Sequence, residues 1–153
     1  MVEIFTFIIS MLPISELRGG LPFALSQGIS PWEAYLISVA GNILPVLPLF
    51  LLLEKIAIFV RRYRIGARFL DWVLERAKKR EDVVKKYGLL GLILLVAIPL
   101  PITGAWTGTL VSFLLSMRVK SAFVAICIGV GVAGVIVLLA SLGFISFIGI
   151  VKS

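Results

Sequence analysis

The 153-residue chain is 60% hydrophobic with a mean hydropathy of +1.13; soluble domains hold roughly 45–50% apolar residues, so this length and composition describe one compact membrane domain. It has no histidine and one cysteine, Cys127, which excludes an intrachain disulfide, argues against a metal enzyme and leaves carboxylates for any proton coupling near neutral pH. The net charge of +7 is uneven, with 11 of the 15 Lys and Arg between Lys55 and Lys86; set between apolar segments, that cluster reads as a cytoplasmic loop under the positive-inside rule rather than a nucleic-acid patch.

The first segment, Met1–Leu12, is apolar but reaches only about 18 Å as a helix, little more than half of a ~30 Å hydrocarbon core. Its one early charge is Glu3 and no cleavage site follows, so it reads as mature sequence on the non-cytoplasmic side. Next comes PISELRGGLP, Pro13 to Pro22, and a second short apolar run to Ile29. Pro22 suits the first turn of a helix. Ser30-Pro31 with Glu33 opens the next helix as N-cap, N1 and first-turn acid. From Trp32 to Leu53 the run is long enough to span, and Asn42, Pro45 and Pro48 within it predict a kink.

Residues 61–86 carry ten Lys/Arg against four Asp/Glu. Ile65, Phe69, Trp72, Val73, Val83, Val84 and Tyr87 recur largely on one helical face, which predicts an amphipathic helix on the cytoplasmic surface, either against anionic headgroups or as a solvated linker. Tyr87–Ile98 is another short apolar run, ending in PLPITGAWTG, Pro99 to Gly108. A further short run, Leu110–Met117, is closed by Arg118 and Lys120. A spanning helix is expected over 119–140, with a short segment at 142–151.

Shifted by 88 residues, the halves overlay: Pro13-Ile14-Ser15 falls on Pro101-Ile102-Thr103, Gly20 on Gly108 and Gly41 on Gly129. Identities are few, but each half repeats one order of elements: short helix, Pro/Gly break, short helix, spanning helix. If each broken pair is a re-entrant hairpin, Arg118 and Lys120 fall on the cytoplasmic side with the main basic cluster. The halves are then inverted, as in secondary transporters with midplane sites. The boundaries read as a first repeat 1–56 (hairpin 1–30, span 31–56), a basic helix 61–86 and a second repeat 87–153 (hairpin 87–117).

Charges at membrane depth cost about 2.5–3.5 kcal/mol each on insertion scales, which marks Glu16 and Arg18 as functional candidates; the alternative is mutual neutralisation. Both hairpin tips are expected to start half-helices, at Gly19-Gly20-Leu21-Pro22 and at Thr103-Gly104-Ala105. Their N–H groups, with the Arg18 guanidinium, suit a phosphate or carboxylate. Glu16 is then the proton-coupling group, with burial and the adjacent arginine pulling its pKa in opposite directions. Pro99, Pro101, Thr103, Trp106 and Thr107 complete the candidate site, Trp106 either stacking on a substrate or packing. Trp32 and Tyr35 read as interfacial anchors and Asn42 as a cross-helix hydrogen bonder.

SELRGGLP followed by VAIPLPITGAWTGTLVS resembles the small multi-drug export protein family over nearly the whole chain. That family is similar in turn to the broader DedA/SNARE-associated (VTT) superfamily. Its members have paired re-entrant hairpins, act in membrane homeostasis and include polyprenyl-phosphate carriers and lipid scramblases. The resemblance implies a transporter whose tips meet at the midplane, with Glu16 and Arg18 as first-hairpin charges. DedA proteins typically also carry arginines in the second hairpin region; here PLPITGAWTG has none, and the nearest is Arg118.

The expected protein is an all-α, multi-pass protein of a prokaryotic plasma membrane, with its basic segment cytoplasmic and both termini outside. It needs no cofactor and is not an enzyme, since no nucleophile–base pair or metal set is visible. The leading function is a proton- or ion-coupled transporter or flippase for an anionic amphipath such as a polyprenyl phosphate. The alternatives are a cationic multi-drug exporter in which Glu16 binds the cation, a lipid scramblase, or a non-transporting scaffold. Membrane lipids, protons or a monovalent cation, and a second copy in a homodimer are the expected partners.

Overall fold

A computed structural model describes residues 1–61, 64–99 and 104–151, all helical apart from short connections. The helices are α1 (Val2–Met11), α2 (Glu16–Ser26), α3 (Pro31–Ile43), α4 (Val46–Arg61), α5 (Arg64–Ala97), α6 (Ala105–Leu114) and α7 (Val119–Val151). Two stretches are long and apolar enough to cross a membrane, Pro31–Leu53 and Val119–Phe144.

The first stretch is α3 running into α4. Ser30 caps it as its sequence predicts: its Oγ accepts from the Glu33 N–H at 3.4 Å and donates to the Glu33 carboxylate at 2.8 Å. The interruption falls at Leu44-Pro45, where Pro45 has no N–H to give the Gly41 carbonyl. The second stretch lies in α7, unbroken from Val119 to Val151 where a span and a separate short segment are expected. Gly143 is the only breaker at that junction, and a glycine costs a helix about 1 kcal/mol, too little to end an apolar one. α5 also joins two expected elements. Its bend is at Gly88, whose φ of 59° and ψ of −131° lie outside the helical region, so a basic segment runs directly into 89–97. Of the apolar face expected on the basic segment, Ile65, Phe69, Trp72 and Val73 have side chains outside the described residues, whereas Val84 is buried and Val83 and Tyr87 are exposed.

Tight glycine contacts pack each half. In the first half, a methyl at Gly41 would lie 2.6 Å from the Phe7 carbonyl oxygen, and one at Gly20 would lie 2.9 Å from that of Thr6. Glycines 20 and 41 thus let α1 press against both α2 and α3 at backbone distance. In the second half, Gly108 and Gly129 face α5, where methyls would lie 2.6 Å and 2.7 Å from Val96 side-chain atoms.

The halves join along α3 and α7. Tyr35, half-buried, donates to the Gly131 carbonyl at 3.1 Å and its ring occupies the space over Gly134. It is thus a helix–helix contact rather than only an interfacial anchor, while Trp32 stacks on it with centroids 5.7 Å apart. The core gathers Leu92 and Val96 of α5, Val111 of α6 and Ile126 and Val130 of α7, and Leu17 reaches into it from α2. Outside, Val124, Ile128, Val132, Val135 and Leu139 form an exposed stripe down α7, with Leu36, Leu44, Leu47 and Leu51 exposed on α3–α4. Such continuous apolar surface suits a hydrocarbon surrounding rather than water.

Candidate functional site

α2 begins at Glu16, one turn before the Gly19-Gly20 start that the sequence suggests. Glu16 has a φ of 48°, a left-handed conformation costing a non-glycine residue about 1–2 kcal/mol. Its own side chain accounts for the persistence of that strain. The Glu16 residue is only 5% exposed, and its carboxylate accepts the backbone N–H of Trp106. Trp106 is the second residue of α6, whose own N-cap, Gly104, provides no side-chain cap. Glu16 of α2 thus supplies the side-chain cap that α6 lacks, placing a carboxylate where orphan N–H groups and the positive end of the helix favour it.

Gly104 makes the contact possible. Its φ of 132° and ψ of −162° fall in a region essentially reserved for glycine. A methyl there would lie 2.6 Å from the Glu16 Cδ and 2.7 Å from Oε1. A second cross-tip bond runs in the same sense: the Trp106 indole Nε1–H donates to the Met11 carbonyl at 3.3 Å, satisfying an end of α1. Trp106 also shares a small void with Pro45, Val46 and Leu49. It is a joint between hairpins, not a free stacking platform.

Glu16 and Arg18, two residues apart, meet different neighbours but are close enough for their charges to interact. Glu16 faces α6, and Arg18, half-buried, faces a cavity of about 790 Å³. α2 lines the cavity with Arg18, Pro22, Leu25 and Ser26, a single stripe at helical spacing. α7 lines it with a second stripe that includes Ile136, Ala140, Ser141 and Phe144, and Pro99 closes one side. Among the described residues of this lining, Arg18 is the ionisable one, and the others are apolar apart from two serines.

Of the other candidates, Gly19 and Gly20 are packing positions: a methyl at Gly19 would lie 2.7 Å from the Ser15 Cβ. Pro22 sits inside α2 rather than in its first turn, and withholds an N–H from the Arg18 carbonyl. Thr107 lies half-buried on α6. Pro101 and Thr103 lie outside the described residues. Asn42 is buried with no hydrogen-bond partner for its Oδ1 among the described residues. Sequence reasoning did not find the α7 wall, because Ile136, Ala140 and Phe144 have the same composition as a lipid-facing stripe. Nor did it find the Met11 carbonyl, since a backbone group leaves no trace in residue type.

Two apolar stretches of spanning length and exposed aliphatic stripes suit an all-helical membrane protein. Residues 16–136 match the family model described as "Putative small multi-drug export protein", and the chain belongs to that family. The matched region begins at Glu16 and includes both tips, but of the α7 wall it reaches only Ile136. No curated protein and no solved structure was found to match the chain.

Proposed function

We propose that this protein is a secondary exporter of small amphipathic molecules, with the cavity between α2 and α7 as its substrate site. The observation that carries the reading is the cavity's construction. It lies between the two halves, has one charged corner and apolar walls, and its size falls within the roughly 300–1,000 Å³ of small-molecule pockets. The family description favours small compounds over a long-chain lipid, although a polyprenyl phosphate shares the same amphipathic chemistry and remains inside the proposed class.

The mechanism treats the two halves as an inverted repeat of re-entrant hairpins. That Gly20 and Gly108, and Gly41 and Gly129, all sit at close helix contacts supports that arrangement. Alternating access is then a rocking of one half against the other, with the tips as the contact that forms and breaks. Glu16 is the group through which a proton enters the cycle: in its carboxylate form it caps α6, and protonated it is a weaker acceptor, which loosens the tips. The chain functions in the plasma membrane with its basic segment on the cytoplasmic side.

The test is flux in proteoliposomes of short-chain amphipaths, with and without a pH gradient, for wild type and Glu16→Gln. Gradient-dependent wild-type flux that loses its pH dependence in Glu16→Gln supports the reading. Absence of flux for every amphipath in the wild type sinks it.

A further inference from the structure

We propose that the crossing of α1, α2 and α3 binds a monovalent cation of sodium's size, held by the side-chain oxygens of Thr6, Ser38 and Asn42. The proposal concerns the first half alone and does not depend on the exporter reading.

Glycine contacts define the place. α1 packs against α2 and α3, and its buried residues are Thr6 and Ser10, so the face it turns to them carries hydroxyls. The Gly41 backbone of α3 lies against the Phe7 carbonyl and the Ser10 Cβ. The Gly20 backbone of α2 lies against the Ser10 Oγ and the Thr6 carbonyl. The three helices therefore cross at Ser10. Thr6 sits one helical turn before it, and Ser38 and Asn42 flank Gly41 on the buried face of α3. These four polar residues are each at most 1% exposed.

Hydrogen bonding sorts them. The Ser10 Oγ–H donates to the Thr6 carbonyl at 2.8 Å. The Thr6 Oγ1, Ser38 Oγ and Asn42 Oδ1 have no partner among the described residues. Buried side-chain oxygens are nearly always paired, and one without a protein partner points to a bound water or ion. In the second half, the buried hydroxyls of Thr109 and Ser112 follow the ordinary pattern and donate to carbonyls of their own helix. A backbone oxygen adds to the set. Pro45 has no N–H for the Gly41 carbonyl, which withholds the usual helical donor from an acceptor adjacent to Asn42.

Hydroxyl, amide and backbone oxygens are hard, neutral ligands. The Asn42 Oδ1 can only accept, and a cation serves several such acceptors at once. Divalent ions draw on carboxylates, and the described residues contain no group of His, Cys, Asp and Glu that could hold a metal. A neutral oxygen set therefore suits a single positive charge. The side chains are short and the helices meet at backbone distance, so the space suits sodium better than the larger potassium. Such an ion ties α1 to α3 beside the Gly20 contact with α2.

The experiment measures the melting temperature of the full-length protein in non-ionic detergent, in sodium, potassium or choline chloride at equal ionic strength. Sodium should raise it by roughly 3–5 °C for each tenfold rise in concentration above the Kd. Potassium should raise it less, and choline not at all. Thr6→Val keeps the shape of the side chain and removes the hydroxyl. In choline this variant should melt at or above wild type, because an unpaired buried oxygen is gone; in sodium it should melt below wild type. Ser38→Ala and Asn42→Ala should also lose the sodium response. Ser112→Ala, whose hydroxyl lies in α6 and is already bonded, should keep it. Identical wild-type melting in sodium and in choline, the result for a buried water, overturns the proposal. A sodium response that survives Thr6→Val, Ser38→Ala and Asn42→Ala also overturns it, and equal stabilisation by potassium overturns the assignment of sodium's size.

Discussion

Replacing Gly104 with alanine tests the contact between the hairpins quantitatively. Two costs follow from the geometry. The backbone at Gly104, with φ of 132° and ψ of −162°, is one that alanine occupies only at about 1–3 kcal/mol. Separately, the new methyl would lie 2.6 Å from the Glu16 Cδ, so the carboxylate must leave the α6 N-terminus. The lost charge-assisted hydrogen bond is worth about 1.5–3 kcal/mol. The sum, about 2.5–6 kcal/mol, is large against the roughly 5–15 kcal/mol that stabilises a domain. A double-mutant cycle separates the parts. In a Glu16→Ala background there is no carboxylate to evict, so Gly104→Ala should cost only the backbone term. The coupling energy, read from unfolding of all four proteins in detergent, should be about 1.5–3 kcal/mol. A coupling within about 0.5 kcal/mol of zero, the level expected of independent sites, would refute the cap.

Further expectations concern the helix contacts. Gly41→Ala forces a methyl onto the Phe7 carbonyl and should destabilise by about 1–3 kcal/mol through overpacking; Gly131→Ala, whose nearest neighbour would be the Tyr35 hydroxyl at 3.5 Å, should be tolerated, and equal melting shifts for the two would contradict the packing described. Tyr35→Phe removes the 3.1 Å bond to Gly131 and should cost about 0.5–1.5 kcal/mol in the same melts. Trp106→Phe keeps the ring but loses the bond to Met11; a similar small loss is expected, with helical content by circular dichroism unchanged.

Several features of this architecture were legible in residue types. Ser30-Pro31 and Glu33 mark the start of α3 because capping uses a few specific side chains at fixed spacing. The four glycines paired by the 88-residue shift all sit at close helix contacts, where a methyl would crowd a neighbouring helix. The start of α2 was misplaced for a physical reason. SELRGG looks like a loop by composition, and its early helical turn depends on Glu16 holding a left-handed conformation that a partner 90 residues away stabilises. The same long-range contact decided the roles of the two charges. Sequence spacing indicates that Glu16 and Arg18 diverge if helical and converge if in a turn, and cannot choose between those cases. The α7 wall was invisible because apolar residues facing a cavity and apolar residues facing lipid are the same residues.

The central claim is that substrate occupies the space between α2 and α7. Ala140, exposed within that lining, can be replaced by tryptophan, which fills the cavity while leaving Glu16, Arg18 and Gly104 themselves unchanged. The most direct measurement compares amphipath flux in proteoliposomes for wild type and Ala140→Trp, with melting temperatures recorded alongside. The account predicts that flux is lost while the melting temperature stays within a few degrees of wild type. Unchanged flux in a stably folded Ala140→Trp protein would contradict it.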